Sequence, residues 1–249
     1  VSRVGMTVDP YKGIPLPVLF RFVRWAGVRH AEVTPKFLFS HSFILRSIRG
    51  MSLGFHLPNA GLDGYDFSSN SYQSEIKDVI TRVSNLSKHV QFKYAVCHPP
   101  ESPKKDRSLS LYFQSLRELN LPLVLENIQS CAGHDFIRFH AQCQQELNDQ
   151  LLGVCLDVSH ARLSGDNWQN LFQLFKSQIQ VIHLSDIQGR EDKHAPFRDD
   201  STLSLHSILD YLLEQKYKGV LNFEILPEGL HGIIQMFRNI RQAQKLFDC

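Results

Sequence analysis

Six short apolar runs of this chain carry, at or near their ends, a side chain able to bind a cation or move a proton. FH closes on His56, AVCH on His98, VLE on Glu126, CLD on Asp157 and NFE on Glu224, while VIHLSD carries His183 and Asp186. Two neighbouring loops add His160, in LDVSHARL, and the D-x-H pair of Asp192 and His194, in REDKH. One carboxylate at a strand end is as readily a helix cap or a loop hydrogen-bond partner as a ligand. Six successive runs ending this way point to a shared cause. Converging carboxylates repel one another and raise one another's pKa values unless a cation sits among them. Imidazoles mixed with carboxylates, and no thiolate, suit zinc, manganese or iron better than calcium or magnesium.

The elements that must position these groups are legible as alternating short apolar runs and longer segments of helical period, the signature of successive βα units. Eight runs read as strands: Val4 to Val8, His30 to Thr34, Ser52 to His56, Lys93 to His98, Leu123 to Asn127, Gly153 to Asp157, Gln180 to Ser185 and Val220 to Ile225. Between and after them, amphipathic segments read as helices over Leu16 to Ala26, Phe37 to Ile48, Ser71 to Lys88, Ser108 to Leu119, Asp135 to Leu147, Trp168 to Lys176, Ser204 to Gln215 and Gly232 to Phe247. Ser71, and Asp166 with Asn167, stand where N-caps belong. Eight strands, each followed by a helix, fit a closed barrel better than an open doubly wound sheet, so the expected fold is α/β, a single (β/α)8 TIM barrel in one domain over 1–249. Polar residues at the carboxyl ends of its strands fall on the face where such barrels build sites. Cys97 and Cys155, beside ligand candidates on their strands, are expected to point the opposite way, into the core.

Composition narrows the function classes. Lys+Arg 27 against Asp+Glu 25 gives a net charge of +2, too little to announce a nucleic-acid or membrane partner. Five scattered cysteines without a C-x-x-C pair argue against a disulfide framework or a thiolate zinc site and for a reducing compartment. No apolar run reaches the roughly 18 residues that a spanning helix needs, and VSRVGMTVDP lacks the regions of a signal peptide, so the expected location is cytoplasmic, with no membrane and no protein partner implied. Gly-x-Ser-x-Gly, Walker-type and H-E-x-x-H patterns are absent.

With these motifs in place, the chain resembles the xylose isomerase-like barrel superfamily, and within it the endonuclease IV (AP endonuclease family 2) branch. The resemblance runs through nearly all the strands. It implies a divalent-metal core of Glu126, Asp157, His183 and Glu224, shared with sugar isomerases and epimerases. It also implies the further ligands of the endonuclease branch, on His56 in LGFHLP, His98 in AVCHPP, His160 in GVCLDVSH, and Asp192 and His194 in EDKH. His56, His98 and Glu126 would then hold one zinc, Glu126, Asp157, His183 and Glu224 a second, and His160, Asp192 and His194 a third. Grouped cations activate water and neutralise phosphoryl oxygens, so the implied chemistry is phosphoester hydrolysis with Glu126 and Glu224 at its centre.

The sequence departs from that branch after His183, where HLSDIQGREDKHAPFRDD is short and lacks the D-R-H and G-x-G of endonuclease IV. A shortened loop need not enter DNA, and the substrate is left between abasic DNA and a smaller phosphorylated molecule. Arg162, Lys193 and Arg198, on loops at the strand ends, and Asp186 are the substrate-binding candidates. The alternative is a sugar or sugar-phosphate isomerase or epimerase with a single manganese or cobalt ion, Glu126 and Glu224 doubling as proton-transfer groups.

Overall fold

The computed structural model describes residues 3–10, 14–39 and 45–248. Apolar and β-branched runs form parallel strands β1 (Val4–Val8), β2 (His30–Val33), β3 (Ser52–His56), β4 (Phe92–Cys97), β5 (Leu123–Glu126), β6 (Leu151–Asp157) and β7 (Ile179–Leu184). After β7 the chain makes an antiparallel hairpin, β8 (Asp186–Gln188) with β9 (Glu191–Ala195), and then β10 (Val220–Phe223). β10 pairs with both β7 and β1, which closes the eight parallel strands into a barrel with β1 against β2. The fold is a (β/α)8 TIM barrel.

Helices cover the outside, each through an apolar stripe. In Gly229–Phe247 that stripe is Met236, Ile240, Ala243 and Phe247, residues spaced by three or four and all buried. The Asn167 side chain caps Trp168–Phe175 as the sequence suggests, accepting from the Asn170 N–H. Ser71 does not cap its helix: Gln73–Ser87 starts two residues later, and the Ser71 hydroxyl donates to Asp106 at 2.7 Å instead. The helix expected over Phe37 to Ile48 opens as a 3-10 turn, Pro35–Phe39; positions 40–44 lie outside the described residues. The β6–β7 connection holds two short helices, Val158–Ser164 and Trp168–Phe175, where one was expected.

Side chains alternate between the helix-facing side of the sheet and the barrel interior. Inside, Tyr94, Val96, Val124, Cys155 and Val181 form a small apolar layer of their own. The bulk of Tyr94 is accommodated by glycine on the neighbouring strand, since a Cβ on Gly54 would sit 2.5 Å from the tyrosine ring. Tyr94 in turn shares a 2.8 Å hydrogen bond with the buried His30 ring. This packed layer is the floor beneath the polar residues at the carboxyl ends of the strands.

Cys155 corrects the sequence reading. It stands two residues before Asp157 on β6, so strand alternation turns both inward, and its sulfur lies within 4.8 Å of donor atoms of Glu126 and His183. Burial holds its thiol well above the ordinary cysteine value, which leaves it protonated and apolar in character. Cys97, adjacent to His98, faces the helices as expected and packs in the main core.

Candidate metal centre

Each donor is placed by a strand end. His56 closes β3, Glu126 closes β5, Asp157 closes β6 and His183 lies next to last on β7, while His98 and Glu224 directly follow β4 and β10. Register brings them level: Asp157 is the direct cross-strand partner of His183. Glu126, Asp157, His183 and Glu224 each offer one donor atom, all within 4.8 Å of one another, and the same holds for His56, His98 and Glu126. Glu126 belongs to both sets.

Hydrogen bonds fix which ring nitrogen looks inward. His56 turns Nδ1 to the Leu57 carbonyl at 2.8 Å and Nε2 to Glu126 at 3.4 Å. His98 turns Nδ1 to Glu101 at 3.0 Å and Nε2 to Glu126 at 3.1 Å. His183 presents Nδ1, 2.9 Å from Glu224 and 3.4 Å from Glu126. Asp157 uses Oδ1 to cap Val158–Ser164 through the His160 N–H at 2.7 Å, leaving Oδ2 without a hydrogen-bond partner. Asn127 clasps the Asp157 backbone with both ends of its side-chain amide, at 2.8 and 2.9 Å.

The cap that starts Val158–Ser164 also aims His160. Its Nδ1 stands 3.1 Å from Glu126, and its Nε2 stands 2.8 Å from Asp192 on the hairpin. Asp192 reaches His194 at 3.4 Å. These two hairpin residues are alternate positions of β9 and share a side, while Lys193 between them is exposed and pairs with Glu191 at 2.6 Å. The nine residues thus form one connected network, with the last three drawn together pairwise through Asp192. Arg162 and Arg198 are exposed, and buried Asp186 accepts the Leu203 N–H at 3.0 Å.

The donor set fits a divalent cation. Asp157 Oδ2, Asp192 Oδ1 and His194 Nδ1 are buried with no hydrogen-bond partner, a costly state that a cation would relieve. Without one, protons take its place. Burial opposes charge on His56, but Glu126, Glu224 and Glu32 outweigh it and raise the imidazole pKa to about 9. Burial, reinforced by Glu126 and Asp192, raises Asp157 to about 6 against the pull of His160 and His183.

Sequence reasoning missed Glu32. It lies on β2, completely buried, and its carboxylate meets His183 Nε2 at 3.1 Å, the nitrogen turned away from the donor cluster. A carboxylate on the far nitrogen of a ligating histidine fixes its orientation and raises its basicity. The signal was present, since a glutamate in the middle of a buried strand, HAEV, is as anomalous as those at the strand ends. Glu32→Gln is expected to weaken uptake of a divalent cation by roughly 10–100-fold. Competition against a chromophoric chelator measures this, and an unchanged affinity would remove Glu32 from the site.

The fold finds counterparts among known proteins. The chain aligns over its full length with a solved AP endonuclease, family 2, from Brucella melitensis, at TM-score 0.73, 13% identity and 100% of both chains. A putative xylose isomerase from Rhodospirillum rubrum aligns at TM-score 0.75 and 11% identity, over 98% of each chain. The 3-keto-D-glucoside 4-epimerase of E. coli aligns at TM-score 0.68 and 16% identity, over 98% of this chain and 99% of that one. At these identities the likeness is one of fold. A curated protein, NAC domain-containing protein 86 of Arabidopsis thaliana, is 24% identical over 181 residues, which span 65% of this chain and only 36% of that protein. The model of the xylose isomerase-like TIM barrel family matches residues 49–246, and the chain belongs to that family.

Proposed function

We propose that the chain is a multinuclear, divalent-metal-dependent phosphoesterase that hydrolyses a phosphodiester. The observation that carries this reading is the double use of Glu126, one carboxylate closing two separate donor sets. One cation needs only Glu126, Asp157, His183 and Glu224. A mononuclear sugar isomerase does not need His56 and His98 as ligands, nor the His160–Asp192–His194 chain, and would use them only in substrate binding. In this reading three zinc ions are held, one by His56, His98 and Glu126, a second by Glu126, Asp157, His183 and Glu224, and a third by His160, Asp192 and His194.

Bound cations supply electrostatic neutralisation of the phosphoryl oxygens and activation of water. The protein supplies placement. Hydrolysis forms one bond from a water oxygen to phosphorus and breaks the bond from phosphorus to the leaving oxygen, to which a proton must pass. Glu126 and His183 are sealed from solvent, whereas the Glu224 side chain is 12% exposed and faces the mouth. Glu224 is therefore the carboxylate placed to accept the water's proton.

Elemental analysis of protein purified without added metal tests this reading. About three zinc ions per chain are expected, whereas one manganese or cobalt would assign the mononuclear isomerase. His56→Ala and Asp192→Ala are each expected to abolish hydrolysis of bis-p-nitrophenyl phosphate, and full activity in either variant would overturn the multinuclear site. Nicking of abasic duplex DNA in the same preparations separates a nucleic-acid substrate from a small one.

A further inference from the structure

Beside the donor cluster the barrel mouth opens into a cavity of about 470 Å³ between helices Leu16–Trp25 and Gly229–Phe247, within the size range of small-molecule sites. One end is formed by His194 and Glu224, so the cavity is continuous with the proposed metal centre. From there its walls are Val18, Phe22, Leu226, Leu230, Ile233 and Phe237, with the Phe22 and Phe237 rings in edge contact at 5.1 Å. Four of these are far from buried: Val18 is 51% exposed, Phe22 44%, Leu226 49% and Leu230 73%. Exposed apolar side chains grouped along a cleft mark a binding surface, whereas scattered ones do not.

Polar groups are sparse along this path. Lys36 is the one cation among the lining residues described, and it is paired with Asp9 at 3.0 Å, while Asp9 also accepts the Thr34 hydroxyl. A nucleic-acid strand leaving the metal centre this way would need several cations for its phosphates. A sugar ring would need donors and acceptors for its hydroxyls. Among the described lining residues the polar side chains beyond His194 and Glu224 are Thr7, Asp9, Thr34 and Lys36, and each is already engaged, Thr7 by Asn222 and the other three among themselves. A hydrocarbon chain needs only apolar walls.

Building on the phosphoesterase reading, we infer that the substrate is a soluble amphiphile, a phosphodiester with one alkyl substituent, its phosphate at the donor cluster and its chain in the cavity between the two helices. The occupant follows from the continuity of the apolar walls with Glu224 and His194. Val18, Phe22 and Leu230 set the preference for chain length, and the metal centre is indifferent to it.

The test reads binding separately from turnover. Methyl, butyl, hexyl and octyl phosphate, each below its micellar concentration, are titrated calorimetrically into the zinc-loaded protein. The dissociation constant is expected to fall about threefold to fourfold per methylene until the cavity is filled. In Leu230→Asp and Val18→Asp, both at positions exposed enough to leave the fold intact by circular dichroism, octyl phosphate is expected to lose about tenfold or more in affinity and methyl phosphate none. Equal affinity across the series overturns the inference. So does binding to phosphatidylcholine vesicles without a chain-length trend in the monomeric ligands. A dimer in sedimentation that Leu230→Asp dissociates, again without such a trend, would give the cavity to a second copy. Hydrolysis of the matching alkyl p-nitrophenyl diesters is scored independently. A binding trend without turnover overturns the phosphoesterase reading and keeps the alkyl site, while turnover without a trend does the reverse.

Discussion

Glu126→Gln is expected to abolish divalent-cation binding at the candidate centre and to lower the proposed hydrolysis by about a thousandfold or more. The substitution keeps the shape of the side chain and removes its charge, so the packing of β5 survives while the electrostatics do not. Glu126 is completely buried, and its two oxygens serve opposite sides: one stands 3.4 Å from His56 and 3.1 Å from His98, the other 3.4 Å from His183 and 3.1 Å from His160. Burial alone would raise its pKa, yet His183, His98 and His160 hold it well below the usual carboxylate range. An amide there leaves these imidazoles without their common counter-charge. Elemental analysis should show cations lost from both donor sets at once. Glu101→Gln is the contrasting variant, because Glu101 touches only the outer nitrogen of His98 at 3.0 Å; its loss is expected to cost about tenfold in metal affinity. A Glu126→Gln protein that keeps full metal content and activity would refute the shared-carboxylate centre.

The contrast between Glu126 and Glu32 shows how much of the site could be read in advance. Strand-end donors were legible because a buried parallel strand has no ordinary use for a terminal His, Asp or Glu, and the register that levels Asp157 with His183 follows from the barrel itself. Glu32 is less legible because it sits inside its run and not at the end, and it meets only the far nitrogen of His183. Cys155 was misplaced by counting neighbours where alternate residues mattered. The hairpin formed by β8 and β9 was legible only as a loop, since EDKHA is a short polar strand whose pairing partner, not its composition, makes it a strand. The apolar cavity could not be seen at all. Val18, Phe22 and Leu230 look like ordinary helix-surface hydrophobes until two helices distant in sequence set them face to face.

Uptake of a divalent cation is expected to release protons and to tighten as pH rises from about 6 to about 9, the window set by Asp157 and His56. The sign follows from which form binds. A ligating imidazole must be neutral and a ligating carboxylate ionised, so every proton held by the metal-free site competes with the cation. His56, with its pKa raised to about 9, carries a proton throughout the neutral range, and His160 is raised well above its ordinary value by Asp157, Asp192 and Glu126, against the opposing effect of burial. Below pH 9 the apparent affinity should therefore fall about tenfold per pH unit for each proton displaced. Below pH 6 Asp157 takes up a proton as well, and the dependence steepens. Titration calorimetry in buffers of different ionisation enthalpy counts the released protons directly. The His56→Ala protein provides the internal comparison, since it has one fewer proton to displace and should show a correspondingly shallower dependence of affinity on pH. Uptake that releases no protons and does not vary across this range would mean that the histidines are neutral before the cation arrives. The buried carboxylates of Glu126 and Asp157 would then face one another without compensating charge, which burial makes costly.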